Sequence, residues 1–321
     1  MAHHHAEEGA VADMIPSPVR ELRLGSRASP LAVAQVELAA AALAGSGCTT
    51  THATVETQGD RDRVRPLVEL GGKAVWTKEL DEALLDGRID AAVHSLKDVE
   101  TRLPKGLVLA AVLPRADPRD RLIGAESLAA LPPGARVGTS SPRRAAQLKA
   151  RRPDVEMVLL RGNVATRLAR VEEGAVHATF LAAAGLDRLG IAAGTALPVE
   201  EWLPAASQGI VGITAREDRL DVLEALAGID DAESHLAAIA ERTVLAAIGG
   251  SCRTSVAVHC RRIADGRHRL SAELFAPDGS AFVAASEDAD MADREAARTA
   301  GQAVARQLLA MAGPAILASL A

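Results

Sequence analysis

Tyrosine is absent from this 321-residue chain, and three phenylalanines and two tryptophans bring the aromatic share to only 2%. Little is left for stacking on unpaired bases, so no nucleic-acid partner is expected. The three cysteines, Cys48, Cys252 and Cys260, are an odd number without CxxC spacing. That argues against a disulfide framework and against a zinc site, and it fits a reducing, cytoplasmic setting with no metal. No run approaches the roughly 18 uncharged apolar residues of a membrane span, so no membrane partner is expected either. Residues 1–18, MAHHHAEEGAVADMIPSP, lack an apolar segment behind positive charge and are not read as a signal peptide. A disordered extension is expected there, with His3, His4 and His5 a flexible or tag-like tract rather than a metal site. An excess of positive charge is missing too: 36 Lys and Arg face 42 Asp and Glu, a net −6. A general surface for polyanions is therefore not expected. What the chain does have is 48% hydrophobic residues, enough for two or three domains with cores of their own.

The cations are concentrated locally, above all in RVGTSSPRRAAQLKARRPDVEMVLLRGNVATRLAR, from Arg136 to Arg170. Arg136 to Gly138 reads as a strand end, Ser141 as a helix cap and Pro142 as the first helical residue, where its missing N–H costs nothing. Arg143 and Arg144 then fall in the first turn, where the helix dipole already places about half a positive charge. An anion is expected to answer them. The pattern repeats at once: Val158 to Leu160 form a short strand, Asn163 is a cap candidate, and Arg161 and Arg167 flank the next helix start. Both joints lie on the rim where open α/β sheets bind ligands.

Elsewhere the same devices recur. Leu24 ends a strand, Arg27 precedes a Ser29-Pro30 helix start, and an Ala/Leu/Val helix follows. Thr49 to Glu56 reads as a strand, Thr77 to Leu85 as an amphipathic helix, and Ile89 to His94 as a strand with Lys97 and Asp98 just beyond its carboxyl end. Leu107 to Leu113 is a further strand, and the proline-rich PRADPRDRLIG after it reads as a crossing between lobes. HATFLAAAGLDRLG gives a strand ending near Arg188. A return crossing precedes the strand Ile210 to Ile213, with Gln208 and Gly209 at the joint. From Asp230 a helix ends at Gly249-Gly250, and three strands follow, separated by Asp265-Gly266 and Asp278-Gly279, before a last helix. The expected fold is α/β: two doubly wound lobes hinged by two crossings, as in periplasmic binding proteins, plus a C-terminal α+β domain with a three-stranded antiparallel sheet. The expected boundaries are 19–115 with 209–228 for lobe 1, 116–208 for lobe 2 and 229–321 for the third domain.

Cys252 stands in the glycine-rich turn GGSCRTS, where adjacent Arg253 favours thiolate and the open backbone permits a covalent attachment. A reduced structural thiol is the alternative. Taken in order and spacing, VHSLKDV, GTSSPRR, LRGNVATRL, AGLDRLG, LPAASQGIVGI and GGSCRTS resemble the porphobilinogen deaminase family from about Leu22 to the C-terminal helix. The resemblance implies an enzyme that joins four porphobilinogens head to tail into hydroxymethylbilane with loss of ammonia. It also implies a dipyrromethane cofactor held by thioether to Cys252, and a monomer.

The same resemblance assigns roles by position. Asp98 is the catalytic aspartate, steadying the cation left by ammonia loss. Lys97, Arg143 and Arg144 hold the cofactor carboxylates, with Ser95, Thr139, Ser140 and Ser141 beside them. Arg27, Ser29, Arg161, Arg167, Arg188 and Gln208 bind substrate or growing chain, and Lys73 lies on a loop over the cleft. Glu69, Gln58, Glu100 and Ser255 depart from the usual pattern. A bilobal receptor for a carboxylate or phosphate would use the same arginines but needs neither Asp98 nor Cys252. An anion-sensing regulator is disfavoured because no helix-turn-helix segment is evident.

Overall fold

The computed structural model describes residues 21–57, 59, 76–250 and 254–320. The expectations for residues 1–18, Gln58, Glu69, Lys73 and Cys252 lie outside those residues.

Alternating burial in Glu21–Ser26 makes a strand, β1, whose Leu22 and Leu24 are fully buried. Helix α1 (Pro30–Gly45) packs Val36, Ala39 and Leu43 against it and leads to β2 (Thr49–Thr54). Helix α2 (Lys78–Leu85), β3 (Ala91–Ser95) and β4 (Leu107–Val112) follow. The chain then leaves for the second lobe, made of β5 (Asp120–Ile123), β6 (Arg136–Thr139), α3 (Pro142–Arg151), β7 (Glu156–Leu159), α4 (Val164–Glu172), β8 (Ala178–Ala182), α5 (Ala183–Arg188) and β9 (Thr195–Ala196). It returns as β10 (Val211–Arg216) and α6 (Leu220–Ala227). The first sheet has the order β2-β1-β3-β10-β4 and the second β7-β6-β8-β5-β9. Both are mixed: β10 runs antiparallel to β3 and β4, and β5 antiparallel to β8 and β9. A strand that arrives from the other lobe enters its sheet reversed.

The third sheet is antiparallel, of β11 (Val256–Arg262), β12 (His268–Phe275) and β13 (Phe282–Ala289). Helices α7 (Ala232–Ala247) and α8 (Arg294–Met311) cover it, closing a core of Val244, Val258, Leu270, Leu274, Val304 and Leu308. Among the described residues no helix is long and apolar enough to cross a membrane.

Two expectations about elements change. PRADPRDRLIG is not all crossing: the passage ends before Asp120, and Asp120 itself opens β5, fully buried and paired with Ala182. HATFLAAAGLDRLG is a strand that passes directly into α5, so Arg188 ends a helix rather than a strand.

The two crossings lie side by side. Leu113 N–H donates to Val211 O at 3.0 Å and Ala116 N–H to Gly209 O at 3.1 Å. At Gly209 the backbone has φ +90°, and a Cβ would stand 2.5 Å from Ala116 O, so only glycine fits. The third domain grips this joint through α7. Fully buried Glu241 accepts from Arg115 on the first crossing at 2.6 Å, from Ser207 N–H on the second and from Cys260 N–H at 2.7 Å. Removing either member of such a buried pair costs about 3–5 kcal/mol.

Candidate active site

β3 ends in a single 3-10 turn, Leu96–Asp98, which presents Lys97 and Asp98 at the carboxyl edge of the first sheet. Leu96 N–H donates to Ile210 O at 3.0 Å, and Arg242 of α7 reaches over to Leu96 O at 3.4 Å, Val99 O at 3.0 Å and Glu100 O. Lys97 Nζ donates to Gln208 Oε1 at 3.1 Å. Among the described residues the Asp98 carboxylate makes no hydrogen bond or ion pair. Ser95 Oγ accepts from Gln35 at 2.8 Å.

Across from this turn stand the two arginine joints of the second lobe. Ser141 caps α3 by accepting from Arg144 N–H at 3.4 Å, and Thr139 Oγ1 accepts from Ser141 N–H at 3.1 Å. Arg143 and Arg144 do not point outward: they are 4% and 5% exposed and turn onto Asp120. Arg144 Nη2 meets Asp120 Oδ1 at 2.6 Å and its Nε meets Oδ2 at 3.1 Å, while Arg143 Nη2 meets Oδ2 at 2.8 Å. Trp202 Nε1 and Gln208 Nε2 add bonds of 2.9 and 2.8 Å to the same carboxylate. The anion expected at this helix start is therefore a residue of the chain itself, and the arginines hold Asp120 well below the usual carboxylate range against its burial.

Asn163 caps α4 through Thr166 N–H at 2.9 Å, and Arg167 bends back to donate to Gly162 O at 3.0 Å and Ser140 Oγ at 3.5 Å. Burial, then repulsion from Arg144, pushes Arg167 down to about 10, against the pull of Asp98. Burial and then Arg144 likewise push the Lys97 ammonium down to about 8, against Asp98 and Asp120. Groups of both lobes thus share one field. Arg188 donates to Gly209 O at 2.8 Å beside the crossings, and its buried Nε has no hydrogen-bond partner among the described residues. Arg27 lies 4.0 Å over the Trp76 ring, and Ser29 caps α1 through Ala32 N–H at 3.3 Å.

Comparison with known proteins decides the identity. The profile described as Porphobilinogen deaminase, dipyromethane cofactor binding domain matches residues 22–224, and that described as Porphobilinogen deaminase, C-terminal domain matches 235–310. The porphobilinogen deaminase of Sphingopyxis alaskensis is 53% identical over 280 residues, covering 84% of this chain and 89% of the relative. That of Paracoccus denitrificans is 45% identical, covering 89% and 93%, and the chloroplastic enzyme of Oryza sativa 41%, covering 93% and 86%. The chain belongs to the porphobilinogen deaminase family. Among solved structures the methionine-binding protein MetQ aligns at a TM-score of 0.43 and 14% identity, covering 67% of this chain and 92% of that one.

As a porphobilinogen deaminase family member the protein is a transferase of tetrapyrrole biosynthesis, and residues 22–224 are its dipyrromethane cofactor-binding domain. The residues present fit such a group. A dipyrromethane made from porphobilinogen carries four carboxylates, and among the described residues the joints bring Lys97, Arg143, Arg144 and Arg167 near Asp98 and Asp120. Buried Arg143 Nε also lacks a hydrogen-bond partner among the described residues. Among the described residues no group of three or more His, Cys, Asp or Glu side chains could hold a metal ion.

Sequence reasoning missed Asp120, Trp202, Arg242 and Trp76. A signal for Asp120 was present: an acidic residue two positions before Leu122, on the same face of a strand, needs a buried cation, and the first-turn arginines of α3 needed an anion.

Proposed function

We propose that this family member condenses four porphobilinogens head to tail into hydroxymethylbilane, releasing ammonia at each addition, on a dipyrromethane attached by thioether to Cys252. One observation carries the reading: Asp98, a carboxylate with no hydrogen bond or ion pair among the described residues, stands within electrostatic reach of Lys97 and Arg167, so a charge-stabilising group adjoins a site for acetates and propionates. When bound, the cofactor supplies the free pyrrole position at which the chain grows.

Each addition breaks the aminomethyl C–N bond, forms a C–C bond and releases a pyrrole proton, which leaves with the amine as ammonium. Asp98 accepts a hydrogen bond from the substrate pyrrole N–H and stabilises the positive charge spread onto that ring, then helps withdraw the proton. Lys97, Arg143 and Arg144 take the cofactor carboxylates, with Ser95, Thr139, Ser140 and Ser141 orienting them. Forked guanidiniums suit carboxylates because two parallel bonds fix direction as well as charge. Arg27, Arg161, Arg167, Arg188, Ser29 and Gln208 receive substrate and lengthening chain, Lys73 helps cover the cleft, and the paired crossings let the lobes shift as the chain grows.

The test pairs two variants. Asp98→Ala keeps its fold and its cofactor mass but loses turnover by on the order of 100-fold or more, as removal of a transition-state charge partner does. Near-normal turnover would remove Asp98 from the mechanism. Intact mass of denatured wild type shows an excess of two linked pyrrole units that Cys252→Ser lacks; an unmodified wild type that porphobilinogen cannot load would favour a carboxylate-binding protein instead.

A further inference from the structure

One buried carboxylate organises the cationic wall, and nothing above gives it a part in the reaction. Asp120 is fully buried at the first residue of β5 and receives four side chains: Arg143, Arg144, Trp202 and Gln208. Those come from α3 and from the second crossing. Gln208 is held at both ends of its amide, since Nε2 donates to Asp120 Oδ1 and Pro118 O while Oε1 accepts from Lys97 Nζ at 3.1 Å. A continuous path therefore runs from the turn beside Asp98 in the first lobe to the arginine pair in the second.

The stoichiometry is unequal. A guanidinium has five N–H donors. Arg144 uses three, on Asp120 twice and on Phe180 O, which leaves two. Arg143 uses three, on Gln147, Leu203 O and Asp120, which also leaves two, including Nε. One negative charge thus fixes two positive ones without neutralising them, and donors remain on each fork. Glu273 adds a pull on Arg143 without bonding it, and among the described residues only Asp120 bonds both guanidiniums.

We propose that Asp120 is a positioning residue of this site: its carboxylate sets Arg143 and Arg144 side by side and, through Gln208, sets where the Lys97 ammonium stands, so that three cations of two lobes receive an anionic ligand as one surface. The proposal rests on reading those three cations as the holders of the cofactor carboxylates. The charged groups facing Lys97 are Asp98 on its own turn, Arg143 and Arg144 on α3 and Asp120 on β5. Asp120 is one of the two that favour the ammonium, so losing it moves the Lys97 titration downward.

The test compares Asp120→Asn and Asp120→Glu with wild type, full-length, after exposure to porphobilinogen. Folding is followed by circular dichroism, cofactor loading by intact mass, and Lys97 by the pH dependence of its acetylation in a digested-peptide mass assay. Folded Asp120→Asn is expected to load at least tenfold less and to show its Lys97 midpoint at lower pH, with Asp120→Glu restoring part of both. A purely structural role lowers the melting temperature alone, so folded Asp120→Asn that loads normally with an unmoved Lys97 midpoint overturns the proposal. Should Asp120→Asn not fold, Gln208→Leu decides: it leaves the arginine pair on Asp120 but cuts the path to Lys97, and an unmoved midpoint there rejects the proposal. Failure of the underlying reading looks different, because Arg143→Met and Arg144→Met would then load normally while the Asp120 variants still shift Lys97.

Discussion

Helices α1 and α3 begin with the same device and use it differently. Each starts Ser-Pro, and each serine accepts from the backbone N–H three residues on, at 3.3 Å for Ser29 and 3.4 Å for Ser141. Before α1, Arg27 lies over the Trp76 ring, half-buried. In α3, Arg143 and Arg144 are buried on a carboxylate from a neighbouring strand. The cap therefore starts a helix and says nothing about an external anion. Cations in a first turn oppose the helix dipole, and a buried carboxylate behind them offsets that opposition. Where such a partner exists, only the donors it leaves over can face a ligand.

The largest test of this contrast is stability. Arg144→Met strips Asp120 of two of its bonds and leaves a buried carboxylate on a single guanidinium, which should cost about 3–5 kcal/mol. Arg27→Met should cost less, because Arg27 is only half-buried and its ring contact is worth about 0.5–1 kcal/mol. Urea denaturation of both variants measures the difference, and equal losses would break the comparison.

Local chemistry was legible in the sequence, and distant pairing was not. The caps Ser29, Ser141 and Asn163 and the turns at Asp265-Gly266 and Asp278-Gly279 each depend on a few consecutive residues, and each stands where the pattern put it. Asp120 depends on partners 23 to 88 residues away, so its charge reads as a loop until the fold delivers them. Arg242 is similar: its helix was evident, but its guanidinium caps carbonyls more than a hundred residues earlier. The alternation of strands and helices in the two lobes followed from the element pattern, whereas the strand order and the reversed entry of β5 and β10 required the crossings themselves. Of the candidate site, the cations and Asp98 were legible from motifs, and the framework that aims them was not.

A second, intermediate effect lies in pH. Lys97 is held down to about 8, so the folded chain releases this proton before the unfolded chain does. Above about pH 8 and up to the ordinary lysine value of about 10.4, the unfolded state binds more protons, and this group's contribution to stability rises with pH. Binding moves the other way. On the proposed reading, in which the Lys97 ammonium holds a cofactor carboxylate, that charge is lost as pH passes about 8, so cofactor loading from porphobilinogen should weaken above that point. Lys97→Arg keeps its charge there and should flatten the loss; a steep loss persisting in that variant would assign it to another group.

The smallest expected effect falls on the α1 side. Trp76 supports Arg27 by its ring face alone, at 4.0 Å, whereas Asp120 fixes its arginines with several directed bonds. Trp76→Leu should therefore leave the urea midpoint nearly unchanged and raise the KM for porphobilinogen about two- to five-fold, the equivalent of about 0.5–1 kcal/mol. Trp76→Phe, which keeps a weaker π face, should fall between. If Trp76→Leu instead lost kcat with KM unchanged, the ring would be acting on the reaction rather than on the placement of Arg27.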